Sequence, residues 1–287
     1  MTPPTSTPVT PNSRVALVTG ANSGIGRVTA VELALRGYHV FLACRDAGKT
    51  AEVLDEIAQR SGGTAKAEFI ALDLGDLDSV RQCAQAFNAR ELPLHLLVNN
   101  AGLAGQKGFT KSGFELAFGV CHVGHFLLTR LLLDRLKAAA PSRVVVVASR
   151  AHRHAKGIDF AAVRQPSRSR GGLMDYSVAK LANILFAAEL ARRLAGTGVT
   201  TYALHPGVVA TGIWRVLPKP LDALVKLFMI DSEEGAKTTL YCATSDAVAQ
   251  QSGLYYVKSA VATPTPVARD AALAQALWTA SEVWTKD

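Results

Sequence analysis

The chain has 287 residues, 49% of them apolar, and a formal net charge of +8. That composition can bury one large core, and no apolar run approaches the ~20 residues that a membrane-spanning helix needs. The four cysteines, Cys44, Cys83, Cys121 and Cys242, have neither the spacing of a disulfide framework nor that of a metal site, so a reduced, cytoplasmic protein with no metal is expected.

Residues 1–13 are rich in Pro and Thr, without charge or an apolar stretch, and read as a disordered tail rather than a signal peptide. Residues 14–287 then read as one domain. Apolar runs of strand length fall at 14–19, 38–44, 67–72, 94–98, 143–148, 199–204 and 253–257, with helical-period segments near 25–36, 47–60, 77–90, 112–139, 174–195 and 232–244. The runs lack the alternation of a half-exposed sheet, which predicts buried parallel strands. Alternating β and α predicts a doubly wound, Rossmann-type α/β sheet of about seven strands with helices on both faces. Ligands bind such a sheet outside the carboxyl ends of its strands.

The first strand runs into Gly20, Asn22, Ser23, Gly24, Ile25 and Gly26. This G-x-x-x-G-x-G turn permits close backbone approach and offers helix N–H groups to a pyrophosphate. The second strand ends Ala43-Cys44-Arg45-Asp46. The carboxylate that would hold the ribose hydroxyls of NAD is missing, and the Arg45 guanidinium can pair with a 2′-phosphate, so NADP(H) is expected. Asp46 either serves the ribose or caps the next helix. Asp73 and Leu74 follow the third strand, where a carboxylate can accept from an adenine amino group. Asn99, Asn100, Ala101 and Gly102 follow the fourth, and taken alone they are also ordinary turn chemistry.

Ser149 follows the fifth strand, where a hydroxyl can donate to an oxygen that gains negative charge. A basic insertion at 150–173 comes next, with Arg150, Arg153, Lys156, Arg164, Arg168 and Arg170 but Phe160 as its lone aromatic. Nucleic-acid binding would want interleaved aromatics, so a solvated surface segment is expected. Tyr176 and Lys180 stand four apart on a helical segment and so share one face. An ammonium there favours phenolate and would pull a phenol of pKa near 10 toward neutrality. The sixth strand meets Pro206 and Gly207, with Val209 and Thr211 beyond. Residues 213–230 form an apolar loop that reads as a pocket lid, a dimer contact or a core helix.

With the T-G-x-x-x-G-I-G turn, N-N-A-G, the serine and Y-x-x-x-K in order, the chain resembles the short-chain dehydrogenase/reductase family from Arg14 onward. LACRD (42–46), GHFLLTRLLL (124–133), KLANILF (180–186), LHPGVV (204–209) and ALWTASE (276–282) are similar to its retinol dehydrogenase and WW-domain oxidoreductase branch. The resemblance implies that Tyr176 exchanges a proton with the substrate oxygen. It implies that Lys180 lowers the Tyr176 pKa and holds the nicotinamide ribose, and that Ser149 orients the carbonyl. Asn99, Ala101 and Gly102 would flank the adenosine side, and Val209 and Thr211 the nicotinamide amide. The branch often carries an N-terminal membrane anchor; with none visible, a soluble relative is expected. The family also suggests a homodimer or homotetramer paired through the two long helices.

The family's N-H-x-G-H-F stretch reads Cys121-His122-Val123-Gly124-His125-Phe126 here, so the asparagine implied to order a proton-relay water is a thiol, a poor hydrogen-bond partner. His122 is a candidate substitute, about 100° round the helix from Cys121. The expected function is NADPH-dependent reduction of a bulky, largely apolar ketone or aldehyde. The alternatives are a cofactor-binding sensor with little turnover, motivated by Cys121, and an alcohol-oxidising dehydrogenase or hydroxyl epimerase on the same fold.

Overall fold

The computed structural model describes residues 14–167, 169–207 and 231–286. The tail 1–13, Arg168, Val209, Thr211 and all but the last residue of 212–231 lie outside them. Eight strands form one sheet: β1 (Val15–Thr19), β2 (His39–Cys44), β3 (Ala67–Ala71), β4 (Leu96–Asn99), β5 (Ser142–Val147), β6 (Val199–His205), β7 (Leu254–Val257) and β8 (Ala260–Val261). Their order is β3-β2-β1-β4-β5-β6-β7-β8. All pairs are parallel except β7 with β8. The chain reverses its direction of travel between β1 and β4, which opens the ligand crevice of such sheets there. The eighth strand goes beyond the seven expected. It is two residues long and joined to β7 through Lys258 and Ser259, both at positive φ (53° and 58°). A two-residue turn of this hand matches the twist of a hairpin, but Lys-Ser carries none of the usual Asn-Gly signal.

The sheet separates two apolar layers. One holds α1 (Gly24–Leu35), α2 (Ala47–Arg60) and α8 (Ser232–Thr244) against Ala16, Val18, Leu42, Val98 and Val145. The other holds α3 (Leu77–Asn88), α7 (Leu173–Arg193) and the long segment between β4 and β5, against Leu17, Phe41, Leu97, Val144 and Val146. That long segment, expected as one helix over 112–139, is broken into α4 (Leu116–Phe118), a π turn (Gly119–Val123), α5 (Gly124–Leu131) and α6 (Leu133–Ala138). Glycines seat it. A Cβ on Gly119 would stand 2.4 Å from Thr110 Cγ2, and one on Gly124 2.4 Å from the Leu74 carbonyl oxygen.

A further helix, α9 (Ala271–Trp284), was not foreseen, although Ala274, Leu277, Trp278 and Ser281 have the spacing of one buried helical face. It lies outside α7 and the π turn. Trp278 stacks on Phe186 of α7 and meets Phe126 of α5 edge-on, while Trp284 meets Phe114 and Phe118. This second layer explains why α7 is buried nearly all round, from Ser177 through Lys180, Asn183 and Phe186 to Leu190.

Candidate active site

The carboxyl edge of the sheet brings together residues that lie far apart in sequence. Gly20 (φ +64°) and Gly24 (φ +53°) carry the turn out of β1. A Cβ on Gly26 would sit 2.2 Å from the Gly20 carbonyl oxygen, so only glycine lets helix and turn close up. Asp46, Asp76, Asp231 and Asp270 cap α2, α3, α8 and α9 by accepting from backbone N–H groups. By contrast, Ser23 makes no side-chain cap bond to α1. The first-turn amides of α1 are thus left for an anion, which the helix dipole also favours. A dinucleotide pyrophosphate fits this turn.

At the tip of β2, Cys44 is buried and Arg45 exposed. The Cys44 thiol faces the backbone of Ala21 and Asn22, and burial raises its pKa. Asp46 is committed to the Lys49 amide at 3.0 Å, which favours the cap over the ribose. Arg45 makes no ion pair among the described residues. Asp73 turns one carboxylate oxygen back to the Gly75 amide at 2.9 Å. Asn99 faces the core: its side chain is 1% exposed and donates to Thr129 Oγ1 at 2.9 Å. β4 ends one residue later than expected, which points the Asn99 side chain inward, so only its backbone is left at the adenosine side of the edge. Asn100 secures the turn instead, donating from Nδ2 to the Thr19 carbonyl at 2.8 Å.

Gly102 stands beside Lys180. A Cβ there would be 3.3 Å from both Cys121 Sγ and Lys180 Nζ, so glycine leaves the space that the lysine head occupies. Lys180 is 2% exposed, donates to the Val147 carbonyl at 2.8 Å and lies 5.5 Å from the Tyr176 ring centroid. Burial lowers its pKa. Burial likewise drives the Tyr176 phenol well above its ordinary value; the neighbouring Cys121 adds to the rise, and a hydrogen bond with Ser149 opposes it. Lys180 is not among the groups that move this phenol here, its ammonium being engaged with the Val147 carbonyl. Ser149 Oγ accepts from the Ala151 amide at 3.1 Å, which leaves its hydroxyl hydrogen directed to Tyr176. Pro206 and the positive-φ Gly207 (φ +104°) end β6 on the same edge.

Cys121 is fully buried, with Sγ 3.9 Å from the Leu103 carbonyl. His122 turns away from it into a cage of Phe118, Phe126 and Phe186, and meets Ser281 Oγ at 2.9 Å. It therefore does not take the place of the absent asparagine. His125 does face the site. Its Nδ1 lies 3.0 Å from the Cys121 carbonyl and its Nε2 2.8 Å from Thr19 Oγ1, which also accepts from the Asn100 and Ala101 amides. Burial lowers the His125 pKa to about 4, so the ring is neutral and donates from Nδ1. Asn183, oriented to satisfy both ends of its carboxamide, donates to the Cys121 carbonyl at 2.8 Å. Thr19, His125 and Asn183 lie within the sequence motifs, yet their links cross from β1 to α5 and α7, which no local pattern reveals.

A half-open pocket of about 680 Å³ lies where the insertion meets the start of α7, lined by Asp159, Ala161, Ala162, Pro166, Leu173 and Met174 among others. Among the described residues no helix is long and apolar enough to cross a membrane.

Residues 14–221 match the family model for short chain dehydrogenases. The chain is 46% identical to bovine dehydrogenase/reductase SDR family member 13 over 93% of its own length and 72% of that protein's. It is 44% identical to human retinol dehydrogenase 11, over 93% and 84%. In structure it is similar (TM-score 0.68, 27% identity, 85% and 94% coverage) to a Beutenbergia cavernae protein described as an NAD(P)-dependent gluconate 5-dehydrogenase, with NADP bound at low occupancy.

Proposed function

The chain belongs to the short-chain dehydrogenase family, and from that premise we propose that it is an NADPH-dependent carbonyl reductase acting on a bulky, largely apolar ketone or aldehyde. The observation that carries this reading is that Tyr176, hydrogen-bonded to Ser149, stands with Lys180 Nζ 5.5 Å from its ring centroid, and that burial favours the protonated phenol. A protonated phenol is the form needed to give a proton to a developing alkoxide, and the serine adds a second donor where charge accumulates. The cofactor supplies the hydride when bound. Glycines 20, 24 and 26 and the uncapped start of α1 would hold its pyrophosphate, and Lys180 would hold its ribose hydroxyls on the nicotinamide side. Exposed Arg45, beside a thiol instead of a carboxylate, supports a 2′-phosphate, as does the NADP in the bacterial neighbour.

The apolar substrate class is supported by the retinol dehydrogenases among the relatives and by the cavity beside α7. Leu173 lines that cavity three residues before Tyr176, on the same helical face.

The test is to follow product formation from NADPH and a panel of retinoid, steroid and aromatic carbonyls. Turnover is expected with at least one of them, and Tyr176→Phe should lower it by about 10²–10⁴-fold, the usual worth of a general acid, with NADPH affinity retained. Retained activity would remove the acid role from Tyr176; tight NADPH binding without turnover on any carbonyl would favour a sensor. Arg45→Ala should weaken NADPH by about 10–100-fold, the scale of a lost charge-assisted hydrogen bond, while leaving NADH unchanged. Equal losses for both cofactors would contradict the 2′-phosphate assignment.

A further inference from the structure

The peptide bond that follows Ser149 is held at both ends by imidazoles. Its oxygen, the Ser149 carbonyl, lies 2.7 Å from His152 Nδ1 and also accepts from the His152 amide at 3.2 Å. Its N–H, that of Arg150, donates to His205 Nδ1 at 3.3 Å. The next amide, of Ala151, is taken by Ser149 Oγ itself. His152 stands in a short 3₁₀ turn (Arg150–His154) of the basic insertion, yet it is 0% exposed, and His205, at the end of β6, is 4% exposed. The far nitrogen of the His152 ring accepts from the Thr265 amide at 3.4 Å, and the ring meets Tyr255 of β7 edge-on. A carbonyl can only accept and an amide N–H can only donate. These partners therefore set the two tautomers: His152 carries its proton on Nδ1 and His205 on Nε2. Burial lowers the pKa of both rings, that of His205 to about 4, so both are neutral above pH ~7.

We infer that His152 and His205 are positioning residues for the Ser149 hydroxyl: they clamp one peptide at its oxygen and its nitrogen, in opposite tautomers, and so fix where Ser149 Oγ stands beside Tyr176. The inference rests on the proposed reading in which Ser149 and Tyr176 both donate to the substrate oxygen. A serine side chain chooses among staggered rotamers, but the direction of its Cα–Cβ bond is set by the peptide planes on either side. With both ends of the following plane bonded, that plane cannot swing. The bond from the Ala151 amide to Oγ then selects the rotamer. Misplacing a reacting group by about 1 Å costs up to about 10²-fold in rate. The histidines act through Ser149 and carry no proton of the reaction themselves.

The unaltered chain tests the clamp first. Ring-nitrogen NMR spectra at neutral pH, assigned through side-chain to backbone correlations, should show His152 protonated on Nδ1 and His205 on Nε2. The opposite tautomer at either ring would overturn the inference, and this measurement needs no variant to fold. His152→Phe keeps a ring against Tyr255 but removes the donor, whereas His152→Asn places an amide nitrogen near the position of Nδ1. The Tyr176 Cζ resonance, which senses the hydrogen bond with Ser149, should shift in His152→Phe and return in His152→Asn. An unmoved resonance in the Phe variant would mean that His152 does not act on Ser149. In turnover, His152→Phe should lower kcat about 10–100-fold with KM and NADPH affinity kept, and His152→Asn should recover most of the loss. On a Ser149→Ala background, His152→Phe should lower kcat no further; an additional loss there would leave His152 a structural residue only. A chain that reduces no carbonyl would refute the proposed function, while the tautomers and the Tyr176 resonance would still decide the clamp.

Discussion

The two sides of the sheet are built to different depths. On one, α1, α2 and α8 form a single layer whose outer surfaces meet water, and the buried polar side chains there are mostly small hydroxyls such as Thr29, Thr50 and Thr239. On the other, α7 and the π turn lie beneath α9, and the groups removed from water include Lys180, His122, His125 and Asn183. A buried ammonium or imidazole is costly unless it is bonded or neutral, and each of these is one or the other. The second layer takes the catalytic helix out of solvent.

That contrast can be broken most strongly at Trp278. Trp278→Ala should cost about 3–5 kcal/mol of stability, as for large buried aromatics, and should also impair turnover because α7 loses its cover. Ile57→Ala, in the single layer, should cost about 2–5 kcal/mol yet leave kcat of the folded protein unchanged. Denaturant titration with activity assays on both variants separates the cases; equal kcat in the two would show that α9 is structural padding.

Acid sharpens the comparison next. His122 and His125 are held neutral in the fold, with pKa values lowered by burial to about 3 and about 4, whereas an unfolded histidine titrates near 6.5. The unfolded chain therefore binds more protons between those values, so stability is fully present above pH ~6.5 and falls as pH drops toward 4, at up to ~1.4 kcal/mol per unit per histidine. His205, also lowered to about 4, adds to the same window. His122→Phe should flatten part of this fall in melts recorded across pH, and an unchanged slope would mean that His122 is already solvated. The smallest effect is expected at Cys121→Asn, which should leave turnover level or raised; a large loss would assign the thiol a task of its own.

Much of this architecture was legible in the sequence, for a physical reason. Parallel strands buried on both faces are continuous apolar runs, and the residues after them are fixed by the doubly wound topology, so Gly20 to Gly26, Ser149, Tyr176 and Lys180 could be placed at one edge. What local pattern cannot carry is the partner of a side chain from a distant element. The Asn99 side chain faces Thr129, which nothing in Asn-Asn-Ala-Gly announces. His122 read as a possible relay and proved to face Ser281. The Tyr176–Lys180 pair gave one face of α7, but the desolvation of the phenol by the surrounding chain is invisible in a spacing of four.

The π turn at Gly119–Val123 carries one more consequence, in the currency of insertions and deletions. Such a turn amounts to one extra residue in a helix. Removing a single residue from it would let α4 run straight into α5 and rotate everything on one side by about 100°. Cys121 would swing away from Gly102, and His122 away from Ser281. Point substitutions can be absorbed locally along this stretch, but its length cannot change without dismantling the floor beneath Lys180, so natural variation here should take the form of exchanged side chains at constant count.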